Sequence, residues 1–158
     1  MQRYLVPLDG SQLAEQALPL AKERAKRMDG SILLIRVVNP ARQYAAASMA
    51  GAGMEPVGAL DVATIEAATQ AELKEAEDYL RQKADALKRE GYRVEWEVRN
   101  GTPAQEIINC ARERNVDVIV ITTHGRTGLG RMVFGSVADE VIRNGGLPVL
   151  VVNNKPAS

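Results

Sequence analysis

The sequence predicts an α/β fold, a doubly wound five-stranded parallel sheet with helices on both faces. Three observations carry that prediction. Short, nearly continuous apolar runs alternate with segments whose apolar residues recur every three to four positions. Glycine, proline, asparagine or aspartate closes most of them. The two kinds follow one another in the order β-α-β-α-β-α-β-α-β. Uninterrupted apolar strands suit a parallel sheet covered on both faces, and right-handed crossovers restrict how such a chain can wind. Ligands in these sheets bind beyond the carboxyl ends of the strands, where the winding direction reverses.

The first run, Tyr4 to Leu8, reads as a buried strand closed by Asp9, Gly10 and Ser11 at a strand-to-helix turn. From Ser11 to about Met28, Leu13, Ala17, Leu20, Ala21 and Ala25 recur at helical spacing, Pro19 bends the helix, and Asp29-Gly30 ends it. "SILLIRVVNP" is a second buried strand. Residues 39 to about 64 show no period and read as one long, mobile loop. From about Ile65 to Glu90, Leu73, Ala76, Leu80, Ala84 and Leu87 share one face of an amphipathic helix, which Gly91 ends. "RVEWEVR" alternates strictly, so Val94, Trp96 and Val98 face inward from a half-exposed edge strand. "GTPAQEII" opens the next helix with Thr102 as N-cap, Pro103 at the first helical position and Gln105 completing a capping box. "VDVIVI" is a buried strand, Ser136 to Asn144 a short helix, and "LPVLVV" the last strand.

The chain has 158 residues, 46% of them hydrophobic, which suits one domain spanning 1–158 with a sizeable core. Twenty basic residues balance twenty acidic ones, so neither a nucleic-acid partner nor a polybasic membrane tail is expected. The first apolar run is too short for a signal peptide or a membrane span, and no longer one follows. A lone cysteine, Cys110, gives no disulfide framework and fits the reducing cytoplasm. It reads as a small core residue.

"THGRTGLGRMVFGS", Thr123 to Ser136, holds four glycines and two arginines. It is not a Walker A motif, because it contains no lysine. Nor is it a dinucleotide fingerprint, since Val133 stands at the third glycine position and the loop follows the fourth strand. What remains is Gly125, nine residues, then Gly135-Ser136 opening a helix, with Arg126 and Arg131 nearby. Free amides at a helix N-terminus beside a hydroxyl and positive charge suit a phosphate. The bland readings are a tight surface connection, a capping box between Ser136 and Asp139, and His124 as a loop-fixing hydrogen bonder.

These motifs resemble the universal stress protein family. The likeness covers nearly the whole chain: "VPLDGS", "RVVNP", "GTPAQEI", "TTHGRTGLG", the nine-residue spacer before Gly135-Ser136, and "PVLVV". It implies a Rossmann-like fold of the adenine nucleotide alpha hydrolase-like type. In members that bind ATP, it further implies that Asp9, with Pro7 and Leu8 beside it, lies near base and ribose. Val37 would offer backbone to the adenine. Ile121, Thr122, Gly125, Gly135, Ser136 and Val137 would hold ribose and phosphates, with Arg126 close by, and Mg2+ or Mn2+ would be held mainly through the phosphates. Two positions depart from the pattern. Thr122 replaces the first glycine of the loop motif, and Ala138 stands where some ATP-binding members carry a hydroxyl. The resemblance implies an ATP-binding stress-response regulator, a homodimer through its last strand, with at most weak ATP hydrolysis. The alternatives are a slow ATP-hydrolysing enzyme, for which only Asp9 and His124 are candidate groups, and a dimeric interaction protein that binds no nucleotide.

Overall fold

The computed structural model describes residues 1–39, 62–123 and 135–153. Most of the loop expected at 39–64 therefore lies outside the described residues, as do His124, Gly125, Arg126 and Arg131. The described chain runs β1 (Arg3–Pro7), α1 (Gln12–Glu15), α2 (Ala17–Arg27), β2 (Ser31–Val38), α3 (Val62–Arg89), β3 (Arg93–Asn100), α4 (Pro103–Glu113), β4 (Val118–Thr123), α5 (Ser136–Asn144) and β5 (Val149–Asn153). All strand pairs are parallel, in the order β3-β2-β1-β4-β5. Winding runs from β1 through β2 to β3 on one side, then returns across β1 to β4 and β5. The direction reverses between β1 and β4.

The apolar runs bury both faces because successive strand side chains point to opposite sides. Tyr4, Val6, Ile32, Leu34 and Val120 face Ala17, Ala21 and Ala25 of α2 and Leu80, Ala84 and Leu87 of α3. Leu5, Leu33, Ile35 and Ile119 face Ala104, Ile107, Ile108 and Ala111 of α4 and Val141 of α5, with Cys110 packed among them as a free, buried thiol. Burial pushes that thiol up to about 11, and the Glu97 carboxylate adds to the effect. β3 is an edge strand, as its alternation predicts, with Val94, Trp96 and Val98 against the α3 side.

Four local expectations need correction. Pro19 interrupts its helix rather than bending it. Lacking the N–H that would bond the Glu15 carbonyl, and crowding that carbonyl with its ring, it leaves a break at Gln16, whose N–H reaches Leu13 O at 3.1 Å instead. The helix expected from Ile65 already runs from Val62. Thr102 is the N-cap of α4 but makes no side-chain cap bond, and Gln105 Nε2 donates to Asn109 Oδ1 at 2.9 Å instead of closing a capping box. Likewise the N-cap of α5 is Gly135, not Ser136, and Asp139 accepts from Arg143 Nε at 3.0 Å.

The end of α2 matches its sequence signal. Asp29 takes a left-handed φ of 48°, and the Gly30 N–H reaches back to Ala25 O at 2.8 Å, a Schellman closure. Gly30 is small for a different reason: a Cβ there would stand 2.5 Å from Gln2 O, where the chain enters β2. Among the described residues no helix is long and apolar enough to cross a membrane.

Candidate functional site

A cleft of about 460 Å³ opens at the carboxyl ends of β1 and β4, where the winding reverses. Its volume lies in the range of small-molecule sites. Every described residue of the expected site lines it: Pro7, Leu8, Asp9, Val37, Ile121, Thr122, Gly135, Ser136 and Val137. Gly125 and Arg126 lie outside the described residues.

The β2 side of the cleft is apolar. Ile35 and Val37 share one face of the strand, and Pro103 and Ile107 come from the first turns of α4 above them. The ladder between β1 and β2 ends with the Leu8 N–H donating to Ile35 O at 2.8 Å. Backbone groups of successive strand residues face alternate sides. Val38 O accepts from Gly101 N on the β3 side, so the N–H and C=O of Val37 face the side where β1 has run out. One donor and one acceptor stand adjacent there, at an apolar wall.

The β4 side is built from amides. The first bond within α5 joins the Asp139 N–H to Gly135 O at 2.9 Å, so the N–H groups of Ser136, Val137 and Ala138 have no acceptor inside the helix. Gly135 as N-cap brings no side chain to compete for them, and the positive end of the helix dipole points the same way. Ser136 adds a hydroxyl. At the end of β4, Thr122 is half-buried, and its Oγ1 lies 3.5 Å from the Ala14 carbonyl oxygen.

Asp9 is the one carboxylate among the described lining residues, and no lysine, arginine or histidine is among them. Ser11 N–H and Oγ both donate to Asp9 Oδ1, at 2.9 and 2.5 Å. Among the described residues no group of three or more histidine, cysteine, aspartate or glutamate side chains could hold a metal ion. The arrangement can take an anion at α5, a flat apolar group with a hydrogen-bonding edge at Val37, and a hydroxyl donor at Asp9.

Ala138, the position noted for its missing hydroxyl, lines the cleft too, and sequence reasoning missed Ser11, Leu13, Ala14, Ile35, Pro103 and Ile107. Ile35 was within reach, being two residues from Val37 on the same strand face. Pro103 and Ile107 fall one helical turn apart, but only the packing of α4 over β2 brings them to this cleft.

The profile of the universal stress protein family matches residues 1–153. The chain belongs to the universal stress protein family. It is 31% identical over 152 residues to universal stress protein MJ0531 of Methanocaldococcus jannaschii, an alignment that covers 96% of this chain and 81% of that one. The solved structure of MJ0577 from the same organism superposes with a TM-score of 0.75 at 26% identity, covering 99% of this chain and 98% of that one. A universal stress protein from Archaeoglobus fulgidus, solved in complex with dAMP, shares the fold at 21% identity and a TM-score of 0.55, over 96% of this chain and 97% of that one.

Proposed function

We propose that this universal stress protein binds an adenine nucleotide, ATP with Mg2+ or Mn2+ held mainly through the phosphates, and acts as a ligand-dependent regulator of the stress response. The observation that carries the reading is the pairing of two unlike ends in one cleft. The open backbone edge of Val37 beside Ile35, Pro103 and Ile107 suits a purine. The three amides of α5 and the Ser136 hydroxyl suit phosphates. The sugar between them meets Asp9. That the Archaeoglobus fulgidus protein is in complex with dAMP is in keeping with an adenine nucleotide on this fold, but the reading rests on the cleft itself.

The chain's own residues bind and orient in this reading. Ser136, Val137 and Ala138 N–H groups neutralise phosphate charge, the Asp9 carboxylate turns the sugar hydroxyls toward β1, and apolar side chains keep water off the base. A base poised on the attacking water would be needed for turnover, and Asp9 is the one candidate among the described lining residues, already tied to Ser11. We therefore assign binding rather than catalysis. The protein is taken to work in the cytoplasm as a homodimer paired through β5.

Calorimetric titration with ATP and Mg2+, beside mass spectrometry of the purified protein for a retained nucleotide, tests the reading. Saturable binding is expected, with hydrolysis far below about one turnover per second. No binding of ATP, AMP or a cyclic adenine nucleotide would leave the second reading, a dimeric interaction protein without nucleotide. Thr122, whose side chain occupies cleft wall at a glycine position of the family pattern, favours that alternative.

A further inference from the structure

We infer that Ser11 is the positioning residue for Asp9, holding one carboxylate oxygen so that the other is aimed at the sugar hydroxyls of a bound nucleotide. The inference rests on the adenine-nucleotide reading and adds a residue to it. Asp9 follows the end of β1 and is exposed, so its side chain would ordinarily sample several rotamers. Here it is tied. Two donors of Ser11 converge on a single oxygen, Oδ1: the backbone N–H at 2.9 Å and the hydroxyl at 2.5 Å.

The hydroxyl proton has one direction open to it. Ser11 is the N-cap of α1, and its Oγ accepts the Ala14 N–H at 3.1 Å. With that amide on the accepting side of Oγ, the proton is left for Asp9. A serine serving only as a cap would need the Ala14 bond and nothing more. Gly10 makes the reversal possible: its φ of 89° folds the chain back within two residues, a conformation that favours glycine. Behind it the Arg36 guanidinium, which lies over the Tyr79 ring, stands 3.5 Å from where a Gly10 Cβ would lie.

Both donors take Oδ1, and none of the described residues donates to Oδ2. A carboxylate oxygen accepts only, and the donors that a nucleotide offers away from its base are its sugar hydroxyls. The same negative charge repels phosphate, which favours the ligand orientation with phosphates at α5. Holding Asp9 in place before binding removes an ordering cost that the ligand would otherwise meet.

The test compares Mg2+-ATP with Mg2+-2′,3′-dideoxy-ATP, which lacks both sugar hydroxyls, by calorimetry on the whole chain. The parent should prefer ATP. Ser11→Gly removes the hydroxyl but keeps a residue tolerated at an N-cap, so the fold is retained. It should lose about tenfold in ATP affinity, the scale of one hydrogen bond to a charged group, while dideoxy-ATP affinity stays within about twofold. Ser11→Thr, which restores a hydroxyl, should recover the preference. In an Asp9→Ala background Ser11→Gly should cost nothing further.

Equal losses for both ligands, or a further loss without Asp9, would make Ser11 merely structural and overturn the inference. A parent that binds the two ligands equally would overturn the Asp9 contact while leaving the nucleotide reading standing. A parent that binds neither overturns both.

Discussion

The Thr122 side chain is β-branched, half-buried and placed at the end of β4, where the sugar and first phosphate of a nucleotide would approach the backbone. Its hydroxyl is no strong tether, since 3.5 Å to the Ala14 carbonyl is at the limit of a hydrogen bond. Removing it therefore exposes backbone and costs little besides strand propensity, of order 1 kcal/mol. Thr122→Gly should tighten ATP binding about three- to tenfold in calorimetry. A loss instead would mean that the hydroxyl is itself a ligand contact. Away from the cleft, Arg99 links β3 to α4. Its side chain is 13% exposed and contacts Glu97 at 2.8 Å, Glu106 at 3.5 Å and Glu113 at 2.6 Å. The hydrogen bond from Arg99 holds the Glu113 carboxyl below its ordinary value of 4.5. A carboxyl lowered by folding contributes stability above its unfolded value and loses it as pH falls through the folded one. Urea denaturation between pH 3 and 7 should thus show stability falling below about pH 4.5, with a shallower fall in Glu113→Gln. An unchanged slope in that variant would assign the acid sensitivity elsewhere.

At the scale of elements, the cleft depends on how α5 begins. With glycine as N-cap, phosphate can reach the amides of Ser136, Val137 and Ala138 without meeting a side chain. Gly135→Val places a branched side chain at that approach and should weaken ATP binding at least tenfold, with the thermal midpoint nearly unchanged. If His124→Ala costs more affinity than Gly135→Val, the phosphates lie elsewhere. The five strands and the helices between them were legible in the sequence because burial on one or two faces imposes periods that composition cannot hide. Helix ends were less legible. Thr102 and Ser136 each carry the spacing of a capping box, yet neither forms one: Asn109 takes Gln105, and α5 starts one residue early, with Gly135 as its N-cap and Asp139 accepting from Arg143. The break at Gln16 was signalled by Pro19, but sequence alone does not separate a bend from an interruption. Of the cleft lining, Pro7, Leu8, Asp9, Val37, Ile121, Thr122, Gly135, Ser136 and Val137 were named from the sequence, whereas Ile35 was not. Pro103 and Ile107 were not, because their place depends on which strand end α4 crosses, a tertiary fact with no local period.

For the whole molecule, the two edges of the sheet differ. β3 carries Arg93, Glu95, Glu97 and Arg99 on its face away from α3, and these pair with Asp29, Arg3, Arg114 and α4 carboxylates, so charge guards that edge. β5, at the other edge, has no such guard. It presents "VLVV" from Val149 to Val152, half-buried, with no lysine or proline inside the run. Leu150 and Val152 turn into one core cluster and Val149 into the other, whereas Val151 belongs to neither. Among the described residues only β4 pairs with β5, so the backbone donors and acceptors on its far side have no described strand beside them and could pair with another chain. Two copies meeting there about a two-fold axis would cover both edges at once, and such an isologous contact closes at two without propagating into a fibre. Light scattering should accordingly give a dimer for the parent chain and a monomer for Val151→Lys, with unchanged circular dichroism, because the lysine places charge on the seam without entering either core cluster. A monomeric parent, or a folded variant that remains dimeric, would take the interface away from β5.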